Sequence, residues 1–345
     1  MNRSTVRTVI AAVCSALLLT AGTSAAADTG HGGSGTVITP ARRLDSDLVR
    51  DFSAVDRNTV WQLASRLRLN FPTYHTEGLA VANDRVFLSA VQIIEPTVKY
   101  PVPQGGYDRT PGKGIGHLFV MDRQGNLRHD LVLGEGDMYH PGGIDFDGTD
   151  VWVPVAQYRP NSSAIIYRVN ALTLAVHKQF EVADHIGGIV RDAITSHLIG
   201  NNWGSRRFYE WTPRGHQTDT WTNNSHFIDY QDCQYVPTRK MLCGGVANLP
   251  QTPTAGGSQA TYELGGMALI SLRSHEVLHE VPLQQWSTAG HVVTRNPLKL
   301  AAEGNELTLR VAPDNGDEGN GTEILTYRAT VTPPIADSGQ QQSTE

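Results

Sequence analysis

Long apolar runs are nearly absent from this sequence. The one stretch that stands out, Val9 to Thr20, is shorter than the roughly 20 residues a helix needs to cross a bilayer, and nothing after it comes close. Cysteine is scarce, three in 345 residues, and aromatics make up only 7%. Basic runs are missing and the formal charge is −6, so neither nucleic acid nor an anionic membrane is an expected partner. There is no Gly-x-Ser-x-Gly elbow, no phosphate loop and no dinucleotide fingerprint, and no helix of the His-Glu-x-x-His zinc type is read. Serine hydrolases of the elbow type, zincins and nucleotide-dependent enzymes lose their ground, and no nucleotide or organic cofactor is expected.

What is present begins with a three-part secretory signal. Arg3 and Arg7 precede the apolar run, which gives way to small residues ending Ser24-Ala25-Ala26-Ala27, so residues 1–27 read as a signal peptide cleaved before Asp28. Val13 before Cys14 does not suit a lipoprotein site, and a lipid anchor is rejected. Cleavage removes two arginines and no acids, leaving a more acidic, soluble, secreted chain. Cys233 and Cys243 then remain in an oxidising setting, where a disulfide between them is the default expectation.

Residues 28–56 read as a linker, with a short helix where Leu44, Leu48, Phe52 and Val55 recur at helical spacing. Residues 332–345, largely Pro, Ser and Gln, read as a disordered tail. Between them, over 57–331, the apolar pattern is short and alternating with Gly, Asn and Asp turns, as in all-β sandwiches and propellers.

Repeats decide between those two. His75-Thr-Glu-Gly-Leu-Ala-Val, His140-Pro-Gly-Gly-Ile-Asp-Phe and His185-Ile-Gly-Gly-Ile-Val-Arg each open a strand followed by a polar turn and a second strand, and weaker copies start near Tyr230 and Arg295. A four-stranded propeller blade takes roughly 40–50 residues. The second and third repeats fit that length, and the longer first and fourth do so once Gly/Pro-rich insertions, Glu95 to Gly116 and Leu249 to Gly265, are set aside between their second and third strands. The last repeat lacks a fourth strand, which Trp61 to Leu69 supplies. The expected fold is therefore a β-propeller of five four-stranded blades closed by an N-terminal strand, with six blades as the alternative.

In such a ring the links that open a blade and those joining its second and third strands share one face. That face collects His75, Glu77, His140, His185, Tyr158, Asn202, Trp203, Arg206 and the acidic loop Asp314 to Glu318, while the other face receives short turns. Three imidazoles at equivalent positions converge on one axis and suit a transition metal. The competing reading is that each histidine bonds the Gly-rich turn it opens. Glu77 serves as a metal ligand or general base, or joins Asn202 and Asp314 in an oxygen-rich calcium site, against a role in capping its own turn. Arg206 and Tyr158 are candidates for holding a carboxylate or moving a proton, against the ordinary solvation of loop side chains.

His75-Thr-Glu-Gly-Leu-Ala-Val also resembles the opening of first blades in gluconolactonase and strictosidine-synthase-like propellers, and the whole chain resembles a family of secreted actinobacterial propellers. The first resemblance implies a calcium bound by Glu77, with Asn202 and Asp314 matching in kind and rough place. This chain departs from that pattern in its three blade-opening histidines and five blades. The expectation is a monomeric, extracellular metal-dependent hydrolase, lactonase or lyase acting on a lactone, ester or glycan-like substrate. The alternatives are a binding propeller for a sugar or peptide ligand and, third, a structural or adhesive role.

Overall fold

A computed structural model describes residues 47–250 and 261–332. The expected signal peptide, most of the linker, the core of the second insertion and all but the first residue of the tail lie outside them.

Alternating apolar residues produce short antiparallel strands, and these form five four-stranded blades. Blade 1 runs His75–Ala82, Arg85–Glu95, Lys113–Asp122, Leu127–Leu133. Blade 2 opens with a strand broken into Met138–Pro141 and Asp145–Phe146, both paired with Asp150–Gln157, followed by Ala164–Asn170 and Val176–Val182. Blade 3 is Ile186–Arg191, Leu198–Asn202, Arg207–Trp211, Gln217–Thr222, and blade 4 is Asp229–Val236, Lys240–Pro250, Thr261–Ser271, Val277–Leu283. Blade 5 takes Leu298–Glu303, Glu306–Val311 and Glu323–Thr330 from the end of the chain and its outer strand, Gln62–Arg68, from the beginning. The expected closure is thus present. It pairs an edge that the last repeat would otherwise leave open.

Burial follows the blade order. Inner strands are buried on both faces, as in His75–Ala82, whereas outer strands such as Gln62–Arg68 are almost wholly exposed and correspondingly polar. A short helix is present at 47–52, and its Leu48 and Phe52 belong to the same buried cluster as Val236, Leu283 and Leu300.

The insertions differ from their expected form. Strands continue into them, so blade 1 pairs its second and third strands out to Glu95 and Lys113, and blade 4 out to Pro250 and Thr261. The first insertion is therefore a protruding hairpin that carries a further small one, Lys99–Gln104 with Tyr107–Arg109, and the described ends of the second lengthen the strand pair of blade 4.

Near the axis the backbones touch. Gly143 N–H donates to Gly187 O at 2.8 Å, and a Cβ at Gly142 or Gly143 would strike Gly187 or Gln231. The Gly-Gly pairs of the repeats are what allow inner strands of neighbouring blades to meet. Into this plug projects the carboxylate of Asp232 from blade 4, which accepts N–H bonds from Leu79, Ile144 and Leu298, one from each of blades 1, 2 and 5. Burial pushes this carboxyl up to about 8, against the pull of those donors.

Cys233 and Cys243 face each other across the blade 4 hairpin and form a disulfide, with Cα atoms 4.1 Å apart. Replacing both by serine should cost about 2–3 kcal/mol, the loop-closure value for so short a ring, read as a lower urea midpoint. An unchanged midpoint would show that the hairpin is equally ordered without the bridge.

Candidate functional site

Above the plug, on the decorated face, lies a cavity of about 320 Å³. His75, His140 and His185, the blade-opening histidines of blades 1, 2 and 3, all line it together with Glu77 and Tyr158. They meet because each opens the inner strand of its blade, and inner strands stand next to the axis.

Glu77 is the centre of the arrangement. Its Oε1 lies 2.8 Å from His75 Nε2 and 3.1 Å from His140 Nε2, and the carboxylate is almost fully buried. Burial opposes its charge, but the two imidazoles outweigh this and hold its pKa well below the usual carboxylate range. His75 Nδ1 bonds Asn315 Oδ1 at 2.8 Å, and His185 Nδ1 bonds Gln157 O at 2.8 Å. A carbonyl acceptor fixes an N–H on Nδ1, which leaves the Nε2 lone pair of His185 free. His140 is different: both ring nitrogens are buried, Nδ1 has no hydrogen-bond partner and Nε2 faces only Glu77 Oε1 at 3.1 Å, and its ring stacks on Tyr158 with centroids 4.1 Å apart. No histidine bonds the Gly-rich turn it opens, so the turn-capping reading does not describe this site.

His75, Glu77 and His140 are, among the described residues, the one group of three whose ligand atoms lie close enough to share a metal ion, all within 4.8 Å of one another. His185 stands next to them, its ring centroid 6.0 Å from that of His140. An imidazole-rich set with a carboxylate suits zinc, iron, manganese or nickel better than calcium, which prefers oxygen.

Two candidates stand elsewhere. Arg206 does not line the cavity: its guanidinium donates to Gly204 O and Ser225 O, both at 2.7 Å, and pins two loops together. Asp314 is buried below the loop, and its neighbour Asn315 is the residue that reaches His75. Asn202 lines the cavity, but its oxygen already accepts the Arg207 N–H at 2.9 Å. Trp203 forms a wall with Tyr158, centroids 5.8 Å apart, and Arg109 of the first insertion lies 5.0 Å over its ring. Asp229, in the link that opens blade 4 on the same face, also lines the cavity, as does Arg295, which sits in a weaker repeat where no motif marks it. Tyr74, just before His75, holds φ at 57°, a backbone conformation costly for an aromatic residue and hence a mark of local constraint.

The sequence does contain one His-Glu-x-x-His string, His275-Glu276-Val277-Leu278-His279, but no helix carries it. It lies on a turn and the outer strand of blade 4, where His279 Nε2 bonds Val55 O at 2.7 Å and His275 stacks on Trp221 at 3.9 Å. Strand geometry turns these two histidines away from the shared ligation a helix would give them.

In metal-free protein two histidines pull stability in opposite directions. Burial disfavours charge on His75, but Glu77 and Asn315 prevail and raise its pKa above 6.5; that contribution is complete below about 6.5 and is lost as pH rises through the raised value. Burial and the neighbouring His140 lower His185 to about 4, so the unfolded chain takes up that proton first, and stability falls as pH drops from about 6.5 towards 4. Between pH 6.5 and 4 the chelator-treated parent should therefore lose more of its melting temperature than His185→Gln does. An equal loss in the two proteins would contradict this.

Residues 35–333 match the model described as Family of unknown function (DUF6454). No curated protein matches the chain. Among solved structures it is similar to a luciferin-regenerating enzyme, at 11% identity and a TM-score of 0.44, over 79% of this chain and 95% of that one. It is also similar to the tail fiber of Staphylococcus aureus phage P68, at 8% identity and a TM-score of 0.43, over 83% and 56%. A chain of a nidogen/laminin complex matches at 12% identity and a TM-score of 0.36, over 62% and 82%. Likeness at this level says nothing about the chemistry of the cavity. With the family model matched across the whole propeller, the chain belongs to the Family of unknown function (DUF6454).

Proposed function

We propose that the protein is a secreted propeller enzyme in which His75, Glu77 and His140, with His185 beside them, hold a divalent transition metal, and that the cavity carries out hydrolysis or elimination on a lactone, ester or glycan-like substrate. The observation that carries this reading is His140, buried with Nδ1 unpaired and Nε2 facing only the Glu77 oxygen that His75 shares. A buried polar group without a partner costs about 1–3 kcal/mol, and a fold keeps one where it has another use.

The chain's own residues divide the work. Glu77 stays ionised and draws the imidazoles of His75 and His140 towards one point. Asn315 and Gln157 orient His75 and His185 through Nδ1. Tyr158 and Trp203 wall off water on one side. A divalent ion held there would supply Lewis acidity and a hydroxide source near neutral pH. Hydrolysis joins the oxygen of water to the acyl carbon as the acyl C–O bond breaks, and the departing oxygen takes a proton. Calcium at Glu77, implied by the resemblance to gluconolactonase-like propellers, is the weaker choice given the imidazoles.

Export is supported by the signal-like N-terminus and the disulfide, and we take the enzyme to act as a monomer. A second reading, a binding propeller for a sugar, draws on the aromatic wall of Tyr158 and Trp203 with Arg109 above it.

The test is a panel of lactones, aryl esters and glycans assayed with added zinc, manganese and iron. Turnover that EDTA abolishes and one of these ions restores is expected. A ligand that binds unchanged in EDTA and is never turned over would replace the enzyme by the binding propeller.

A further inference from the structure

The cavity that holds the histidine cluster is one lobe of a larger site. A second cavity, of about 610 Å³, shares His75, Tyr158 and Arg295 with it. The two differ in chemistry. Around the cluster the walls are imidazole, carboxylate and amide, whereas the second lobe is walled on one side by Pro72, Tyr74, Val91 and Ile93.

The apolar wall is built. Val91 and Ile93 lie two residues apart on the second strand of blade 1, so both side chains take the same face. Ile93 stands in the part of that strand that runs beyond the blade body, paired with Gly114, and it remains 36% exposed. The ring of Tyr139 lies against Gly114, and its hydroxyl donates to Pro111 O at 2.6 Å, which braces the hairpin. On the other side the left-handed backbone of Tyr74 turns its carbonyl to the Gly316 N–H, 2.7 Å away, and so ties the lobe to the Asn315 loop that orients His75. Each lobe falls within the range of about 300–1,000 Å³ common for small-molecule sites.

Resting on the proposed function, we infer that the substrate is amphipathic: an ester or lactone whose acyl–oxygen bond sits at the histidine cluster and whose medium-length alkyl or aryl portion lies in the lobe formed by Tyr74, Val91 and Ile93. Such a substrate buries apolar surface beside the reacting bond and leaves its polar end to the cluster.

The test uses sodium acetate, hexanoate and octanoate as probes on zinc-loaded full-length protein by calorimetry, with metal content measured on the same sample. Octanoate should bind at least about thirtyfold more tightly than acetate, since each buried methylene is worth about 0.8 kcal/mol. Ile93→Asp should weaken octanoate about tenfold or more, whereas Val102→Asp, on the exposed hairpin outside both lobes, should change nothing; melting curves check that each variant folds. Equal affinities for acetate and octanoate in metal-loaded protein would overturn the lobe and leave the metal site standing. Protein that takes up no zinc and binds no carboxylate would overturn both.

Discussion

His140→Ala should lower turnover by at least about a thousandfold, the scale expected when a metal or proton-transfer centre loses a principal group, yet leave the protein folded with only a modest change in stability. Both halves come from one observation. The ring of His140 is buried with Nδ1 unmet and Nε2 only 3.1 Å from the Glu77 carboxylate, so its removal relieves a desolvation cost of about 1–3 kcal/mol at Nδ1 while Glu77 keeps its closer partner His75. What is lost is the contact with Glu77, the stacking on Tyr158 and the volume of the ring. Turnover and thermal melting of the same preparation read the two effects separately. A variant that melts far below the parent would make His140 a structural residue, and one that keeps its turnover would remove it from the site.

Asp232→Ala should be the most damaging single change in the protein, costing about 4 kcal/mol or more, because it strands three buried backbone N–H groups at once. Those donors belong to Leu79, Ile144 and Leu298 on three blades other than its own. The loss is therefore shared by four blades around the axis, and the denaturation midpoint should fall cooperatively. Asp232→Asn should also be poor, since Oδ2 accepts two N–H groups and Oδ1 a third, so that the amide NH2 faces at least one donor whichever way it turns. Equilibrium urea unfolding measures both. A loss under 1 kcal/mol in the alanine variant would mean that water replaces the carboxylate in the plug.

Much of the architecture was legible because blade-opening motifs repeat with their turns. His75, His140 and His185 each announce an inner strand, and the shortage of strands in the last repeat pointed to Trp61–Leu69 as the closing strand, found as Gln62–Arg68. Cys233 and Cys243 fell on opposing strands once the hairpin between them was placed. The insertions were less legible: Glu95 to Gly116 is rich in Gly and Pro, yet its two ends carry enough pairing to lengthen the strands.

Of the site, the residues fixed by strand position were readable and those fixed by loop path were not. His75, Glu77 and His140 follow from topology alone, because inner strands meet at the axis. Asn315, by contrast, reaches His75 only because its loop folds back onto the Tyr74 carbonyl, and Asp314 beside it turns away. Arg206 carried a plausible charge in the right link, but carbonyls and Asp229 claim its guanidinium. Asp232 lay in a weak repeat, and nothing in its neighbours' sequence shows that three other blades would converge on it.

The most direct test of the central claim is elemental analysis of protein purified without a tag and supplied with zinc, manganese and iron, alongside His140→Ala and Glu77→Gln. The account predicts about one transition-metal ion per chain in the parent and little in either variant, since a site of three or four ligands loses most of its affinity with one of them. Calcium that survives both substitutions, or no bound metal in the parent at all, would contradict it.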